Sequence, residues 1–207
     1  MAKKTHSSAE QARTAILDAA EQIVIDVGPA GLRISAVAKA AGMAHPNIIH
    51  HFGSREGLLE ALAARNGEET TARVTAAIQS ALAGQGDMLD AVTGVLESAY
   101  VGDPGKVAVW MHMSGQRNTL DGNMAQIVEA SHQLRQLMDT DVKPDNTKRL
   151  VLLVTLALIG DVVYGEALKS AIGFGNEEND RAHFRRWLAG LMLNLSDEDV
   201  DKCLDSK

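Results

Sequence analysis

Between residues 9 and 195, apolar side chains recur at intervals of three and four. No stretch alternates Val, Ile or Thr with hairpin punctuation. That period lays an apolar stripe along one side of an α-helix, so the expected fold class is all-α. A first helix is predicted over 9–27, capped by Ser7 or Ser8, with Ile16, Ala19, Ala20, Ile23 and Val27 on its stripe. Gly28-Pro29-Ala30-Gly31 ends it. Short helices follow at 35–41 and 45–51. A long one then starts after Ser54, which can cap it, and keeps one face through Leu58, Leu59, Leu62, Val74 and Ile78. Beyond the linker at 83–87, helices are predicted at 88–100, 106–114, 123–138, 146–170 and 179–195, followed by an acidic tail.

With 207 residues and 45% apolar content, the chain can bury a core without staples. It has one cysteine, Cys203, so there is no disulfide framework, which fits a reducing, cytoplasmic setting. The N-terminal Met1-Ala2-Lys3-Lys4 has no apolar run behind it and does not read as a secretory leader. The longest apolar run, 150–159, falls short of the roughly 20 residues of a membrane span and reads as a buried helix. Net charge is −7, but unevenly placed. Residues 1–65 carry seven Lys/Arg against six Asp/Glu, and 66–207 carry thirteen against twenty-one. The acidity therefore belongs to the later part, a pattern compatible with a nucleic-acid end and a different other end.

The segment 34–52, ISAVAKAAGMAHPNIIHHF, carries the chemistry. It makes two two-turn helices joined by a tight turn at Gly42, whose backbone can take the left-handed conformation. Val37, Ala38 and Ala41 face inward on the first helix, and Ile48 with Ile49 or Phe52 on the second. This is the anatomy of a helix-turn-helix, whose second helix enters the major groove with its first residues at base edges. Here those residues are His45, Pro46 and Asn47. Asparagine can pair bidentately with adenine, and the imidazole or proline edge can meet a purine N7 or a thymine methyl. His50, His51 and Arg55 sit where phosphates would run.

Residues 9–65 resemble the N-terminal domain of tetracycline-repressor-type (TetR) transcriptional regulators. The matching runs are Ile16-Leu17-Asp18-Ala19-Ala20, Gly28, the run from Val37 to Met43, and the run from Ile48 to Leu58. Three positions depart from the family pattern. Ala44 stands where a capping Ser or Thr is usual, Ile49 replaces a phosphate-binding Tyr, and Arg33 replaces a capping Thr, leaving Ser35 as the alternative cap. The resemblance implies a three-helix DNA-binding head over 1–53, with 1–8 as a flexible arm. A larger helical effector-binding and dimerisation domain over 54–195 and an acidic tail over 196–207 follow. It implies a homodimer on a palindromic double-stranded DNA operator, released by a small-molecule effector, most often as a repressor. DNA-facing positions would be Ser35, Lys39, Ala44, His45, Pro46, Asn47, His50, His51 and Arg55.

For the later helices the residues leave more open. Tyr100, Trp110, Met111, Met113, Met124, His132, Met138, Asp161 and Tyr164 are candidates for an effector pocket, each with plain core as its alternative. Asp161 has three readings: a ligand contact, a contact across a dimer, or surface. Leu152, Leu156, Ile159, Phe184, Trp187, Leu188, Leu191 and Leu195 form stripes suited to a dimer interface. His45 and His50 are five apart, off the i, i+4 spacing of zinc helices, so no metal and no cofactor are expected. No phosphate-cradling glycine loop, His-Glu-x-x-His or Gly-x-Ser-x-Gly elbow is present, so an enzyme is not expected. The rival reading is a helical binding or protein-interaction module whose head has lost DNA, to which Ala44 and Ile49 lend weight.

Overall fold

The computed structural model describes residues 2–84, 86–99, 102–113, 123–174 and 178–205, with side chains from Ser8 onward and not at every helix end. Among these residues there are ten helices and no strand: α1 (Ala2–Gly31), α2 (Ile34–Ala40), α3 (His45–Phe52), α4 (Arg55–Leu82), α5 (Met88–Ala99), α6 (Gly102–Met113), α7 (Asn123–Gln136), α8 (Pro144–Ala171), α9 (Glu178–Asn194) and α10 (Asp197–Asp205). The chain forms two compact units. One comprises residues 1–68 and 106–119, the other 69–105 and 120–207.

Three boundaries differ from the periodicity, each for a local reason. α1 begins at Ala2 and so takes in the expected arm, because 2–8 contains neither Gly nor Pro and Ser costs only a few tenths of a kcal/mol in a helix. Its kink falls at Gly28, at φ 74° and ψ 167°. α6 takes in Gly102–Gly105, read from sequence as a break, because Pro104 lies in the first turn, where no intrahelical N–H is needed. The acidic tail is a helix, α10. Ser196 and Asp199 form a reciprocal cap, the Asp199 amide donating to Ser196 Oγ at 3.1 Å and the Ser196 amide to Asp199 Oδ2 at 3.3 Å.

The core of the head is Ile16, Ala20 and Val24 of α1, Val37 of α2, Ile48 and Phe52 of α3, and Leu58 and Leu62 of α4, joined by Val107 and Met111 of α6. The compact head thus runs past the helix-turn-helix into α4. Ion pairs tie α1 to α4, with Arg65 reaching Asp18 at 2.5 Å and Glu21 at 2.6 Å. α4 starts as expected: Ser54 Oγ accepts the Gly57 amide at 3.0 Å.

In the second unit Val74, Ile78, Val92, Leu96, Leu134, Leu158 and Leu188 form the core. α10 docks there through its carboxylates. Asp197 accepts from Arg135 and from the Lys143 amide, both at 2.5 Å, and Asp201 accepts from Asn146 at 3.2 Å. α8 is the one helix among the described residues long and apolar enough to cross a membrane. It is not the mostly buried helix expected from its composition. Only 22% of its apolar window is covered, leaving Leu152, Leu156 and Leu168 in the open.

Gly57 has a reason to be glycine, since a Cβ there would run into the Phe52 carbonyl oxygen. Gly→Ala inside a helix ordinarily stabilises by about 1 kcal/mol. Gly57→Ala is expected instead to destabilise by about 1–3 kcal/mol in chemical denaturation, the usual cost of overpacking.

Asp197 carries a pH dependence. Burial pushes its pKa up, but the Lys143 amide, then Arg135 and Asn146, outweigh that and hold it below the usual carboxylate range. A carboxyl lowered in the folded state adds stability above its unfolded pKa of about 3.9 and loses it as pH falls through the folded value. Hydrogen-exchange protection of α10 is therefore expected to collapse below about pH 4. Asp197→Asn should flatten that acid limb in part, since Asp199 and Asp201 of the same helix are also held below the usual carboxylate range by Ser196 and by Lys143 with Asn146.

Candidate nucleic-acid interface and cavity

Two turns of helix have little stability of their own, so α3 is held by what it buries. Ile48 is fully buried and Phe52 nearly so, packed in the same core as Val37 and Ala38. The turn between α2 and α3 is closed by two bonds across the end of α2. The Met43 amide donates to the Ala38 carbonyl at 2.9 Å and the Gly42 amide to Lys39 at 3.3 Å. That pattern needs a left-handed residue, and Gly42 has φ 65°. Pro46 occupies the first turn of α3.

With the inner face committed, the outer face is determined. Ala44, His45, Pro46, Asn47 and His50 are exposed on α3, as are Ser35 and Lys39 on α2. Ile49, offered from sequence as a possible core residue, is 38% exposed, and Phe52 takes the inner position. Ser35 does not cap α2. The cap position is Arg33, at φ −122° and ψ 135°, with no side-chain cap bond. Ala44 likewise caps α3 without a side-chain bond. His51 is half-buried, and its carbonyl accepts from Arg13 Nη1 at 3.3 Å.

Arg55 departs most from expectation. Its Nη2 donates to the Pro29 carbonyl at 2.6 Å and its Nε to Leu32 at 2.9 Å. Those donors clasp the α1–α2 connection to the start of α4 and are not offered to a phosphate. Sequence reasoning missed two cations. Arg13 lies over the Phe52 ring, 4.5 Å from its centroid, and Arg33 is exposed at the head of α2. Arg13 gives no periodic signal, because its partners lie 38 and 39 residues away. Among the described residues no cluster of His, Cys, Asp and Glu could hold a metal.

The second unit contains a cavity of about 120 Å³ lined from α4, α5, α7, α8 and α9. Val74, Ile78, Leu96, Val154, Leu158 and Met192 make most of its wall, and Arg135 and Thr147 stand at its polar side. Of the sequence candidates among the described residues, Met124 and Met138 line it, while Met111 belongs to the head's core. Trp110 packs against the head's core instead. His132 stands one step behind the wall, its Nδ1 2.9 Å from Thr147 Oγ1. Tyr164 is 64% exposed. Tyr100 and the Met113 side chain lie outside the described residues. Asp161 is buried between cations of its own chain, 2.6 Å from Lys169 and 3.5 Å from Arg185.

The proposed interface stripe divides. Leu152, Leu156, Trp187 and Leu191 are exposed; Ile159, Phe184 and Leu195 are half-buried. Leu188 belongs to the unit's own core, packed with Val92 and Leu158.

Comparison with known proteins agrees with this arrangement. The family model for bacterial regulatory proteins of the tetR family matches residues 16–62. No curated protein sequence matches the chain. Among solved structures, multidrug binding protein EbrR complexed with imidazole is 19% identical, with a TM-score of 0.59 over 89% of this chain and 96% of that one. The fatty acid degradation regulator FadR of Bacillus halodurans is 16% identical, with a TM-score of 0.62 over 87% and 94%. A TetR-family member from Streptomyces coelicolor is 23% identical, with a TM-score of 0.56 over 87% and 97%. These likenesses show a shared fold.

The clasp gives a test of its own. Arg55→Met keeps the aliphatic stem but takes the charged donor from the Leu32 carbonyl and leaves the Pro29 carbonyl with the Leu32 amide alone. It is expected to cost about 1–3 kcal/mol of stability, as for buried acceptors that lose a charged donor. A phosphate contact alone would leave thermal unfolding unchanged.

Proposed function

We propose that the chain, whose residues 16–62 match the family model for bacterial regulatory proteins of the tetR family, is a ligand-responsive transcriptional regulator. In this reading it acts as a repressor, released from a palindromic operator by a small molecule. The observation that carries the reading is the division of α3 into a buried face, Ile48 and Phe52, and an open face of His45, Pro46, Asn47 and His50. Asn47 is the proposed base reader. Arg33 and Lys39 supply positive charge beside it for phosphates.

Dimerisation is proposed through the open apolar face of α8 and α9, where Leu152 and Trp187 are 58% and 62% exposed. Contiguous apolar surface of this kind marks a protein contact. Two heads would then meet successive major grooves about 34–36 Å apart. The effector binds more tightly to the subunit arrangement whose head spacing is wrong for DNA. By reciprocity DNA weakens effector binding equally, with a coupling of about 1–3 kcal/mol. α4 supplies both the head's core, through Leu58 and Leu62, and the cavity wall, through Val74 and Ile78. It is the covalent route by which one event can bias the other.

Binding to operator fragments selected from the source genome tests this reading. Affinity should fall by about 10³–10⁵ between 50 and 200 mM salt if six to ten phosphates are contacted. Asn47→Ala should relax preference at one base position by about 1–3 kcal/mol, whereas Lys39→Ala weakens all sequences alike. Trp187→Glu with Leu156→Glu should give monomers that lose operator affinity. Indifference to every duplex in dilute buffer would leave the rival, a helical binding module, in its place.

A further inference from the structure

We propose that the cavity of the second unit selects an uncharged aliphatic molecule with one hydrogen-bonding group, such as an ester or an alcohol. Asp197 of α10 sets that preference by neutralising Arg135. The inference rests on the reading of this cavity as the effector site and names the chemical class the site takes.

Among the described residues, the cavity wall includes no carboxylate and no aromatic ring. A cationic ligand would find no counter-charge there and would lie beside Arg135. A buried charge without a partner is strongly disfavoured. A planar aromatic would find no ring to stack on among these described residues. The wall is instead aliphatic, with Met124, Met138 and Met192 as its adaptable members. Four hydroxyls, on Thr70, Ser131, Thr147 and Thr155, supply its remaining polarity.

Arg135 would by itself invite a carboxylate. Two of its donors are already engaged, and its charge is met by a carboxylate: Nη2 donates to Asp197 Oδ1 at 2.5 Å and Nη1 to Thr147 Oγ1 at 2.8 Å. The other Asp197 oxygen accepts the Lys143 amide at 2.5 Å, so the carboxylate is held from two sides. A fatty acid entering here would place a second anion on one guanidinium. α10 therefore acts as a built-in anion that leaves the polar side of the cavity neutral.

Calorimetric titration of the full-length protein with methyl octanoate, octanoate, octyltrimethylammonium and malachite green reads the selectivity directly. The ester should bind at least about tenfold more tightly than each charged probe, because only they bring an unpaired charge. Lengthening the ester should gain about fourfold per methylene until the cavity is full. Asp197→Asn frees Arg135. It should raise octanoate affinity at least about tenfold while the ester stays within about threefold.

Equal or tighter binding of the ammonium or of malachite green would overturn the proposal. So would failure of the ester to bind, or an unchanged octanoate affinity in Asp197→Asn. Should that variant not fold, the wild-type ranking decides alone. Operator release is measured separately. Ester binding without release would count against the regulator reading and leave the ligand class standing.

Discussion

The arrangement of the head depends on Ile48. A helix of two turns cannot hold itself together in water, and α3 persists because Ile48 and Phe52 are sealed into the core shared by α1, α2 and α4. That seal fixes the rotation of α3 about its axis. Asn47 and His50, immediately before and two residues after Ile48, are then turned outward, since helix neighbours lie about 100° apart. The Gly42 turn, the Arg55 clasp and the Ser54 cap each limit a different freedom of the same short segment. The first sets the angle between α2 and α3, the second the connection into α2, and the third the direction in which α4 leaves.

Charge plays two different parts in the molecule. In the head, besides the Arg65 ion pairs and the Arg55 clasp, it lies on the outside at Arg33 and Lys39, which are open to solvent. In the second unit it is drawn inward and paired. Asp161 lies between Lys169 and Arg185, and Asp197 lies between Arg135 and the Lys143 amide. Buried pairs of this kind are weak sources of net stability, but breaking one leaves an uncompensated charge. Their effect is to fix one position for α9 and α10. In the case of Arg135 they also fix the electrostatic character of the cavity wall.

The helices were legible because the apolar period is local. The same holds for the caps written as short motifs: Ser54 ahead of Gly57 was read correctly, and Ser196 ahead of Asp199 had the same form and was passed over. The helix-turn-helix was legible down to which residues face inward, apart from the choice between Ile49 and Phe52. The cavity was not. Aromatic and methionine residues are the types expected in such a wall, and Met124 and Met138 do line it, yet Trp110 lies in the head's core and Tyr164 at the surface, while Val, Leu and Ile from five helices form most of the lining. No local pattern distinguishes an aliphatic side chain that borders a void from one that fills it.

From sequence alone came the fold class, the likeness of the N-terminal segment to a regulator family and the bounds of α3, because each depends on local contacts and on a period that any helix must obey. Only the tertiary structure decided what Arg55, Asp161 and Asp197 do. Each lies on a helix or cap with no unusual local feature, and each finds at least one partner 23 to 62 residues away. A side chain's charge is written in the sequence, but the counter-charge that meets it is chosen by packing.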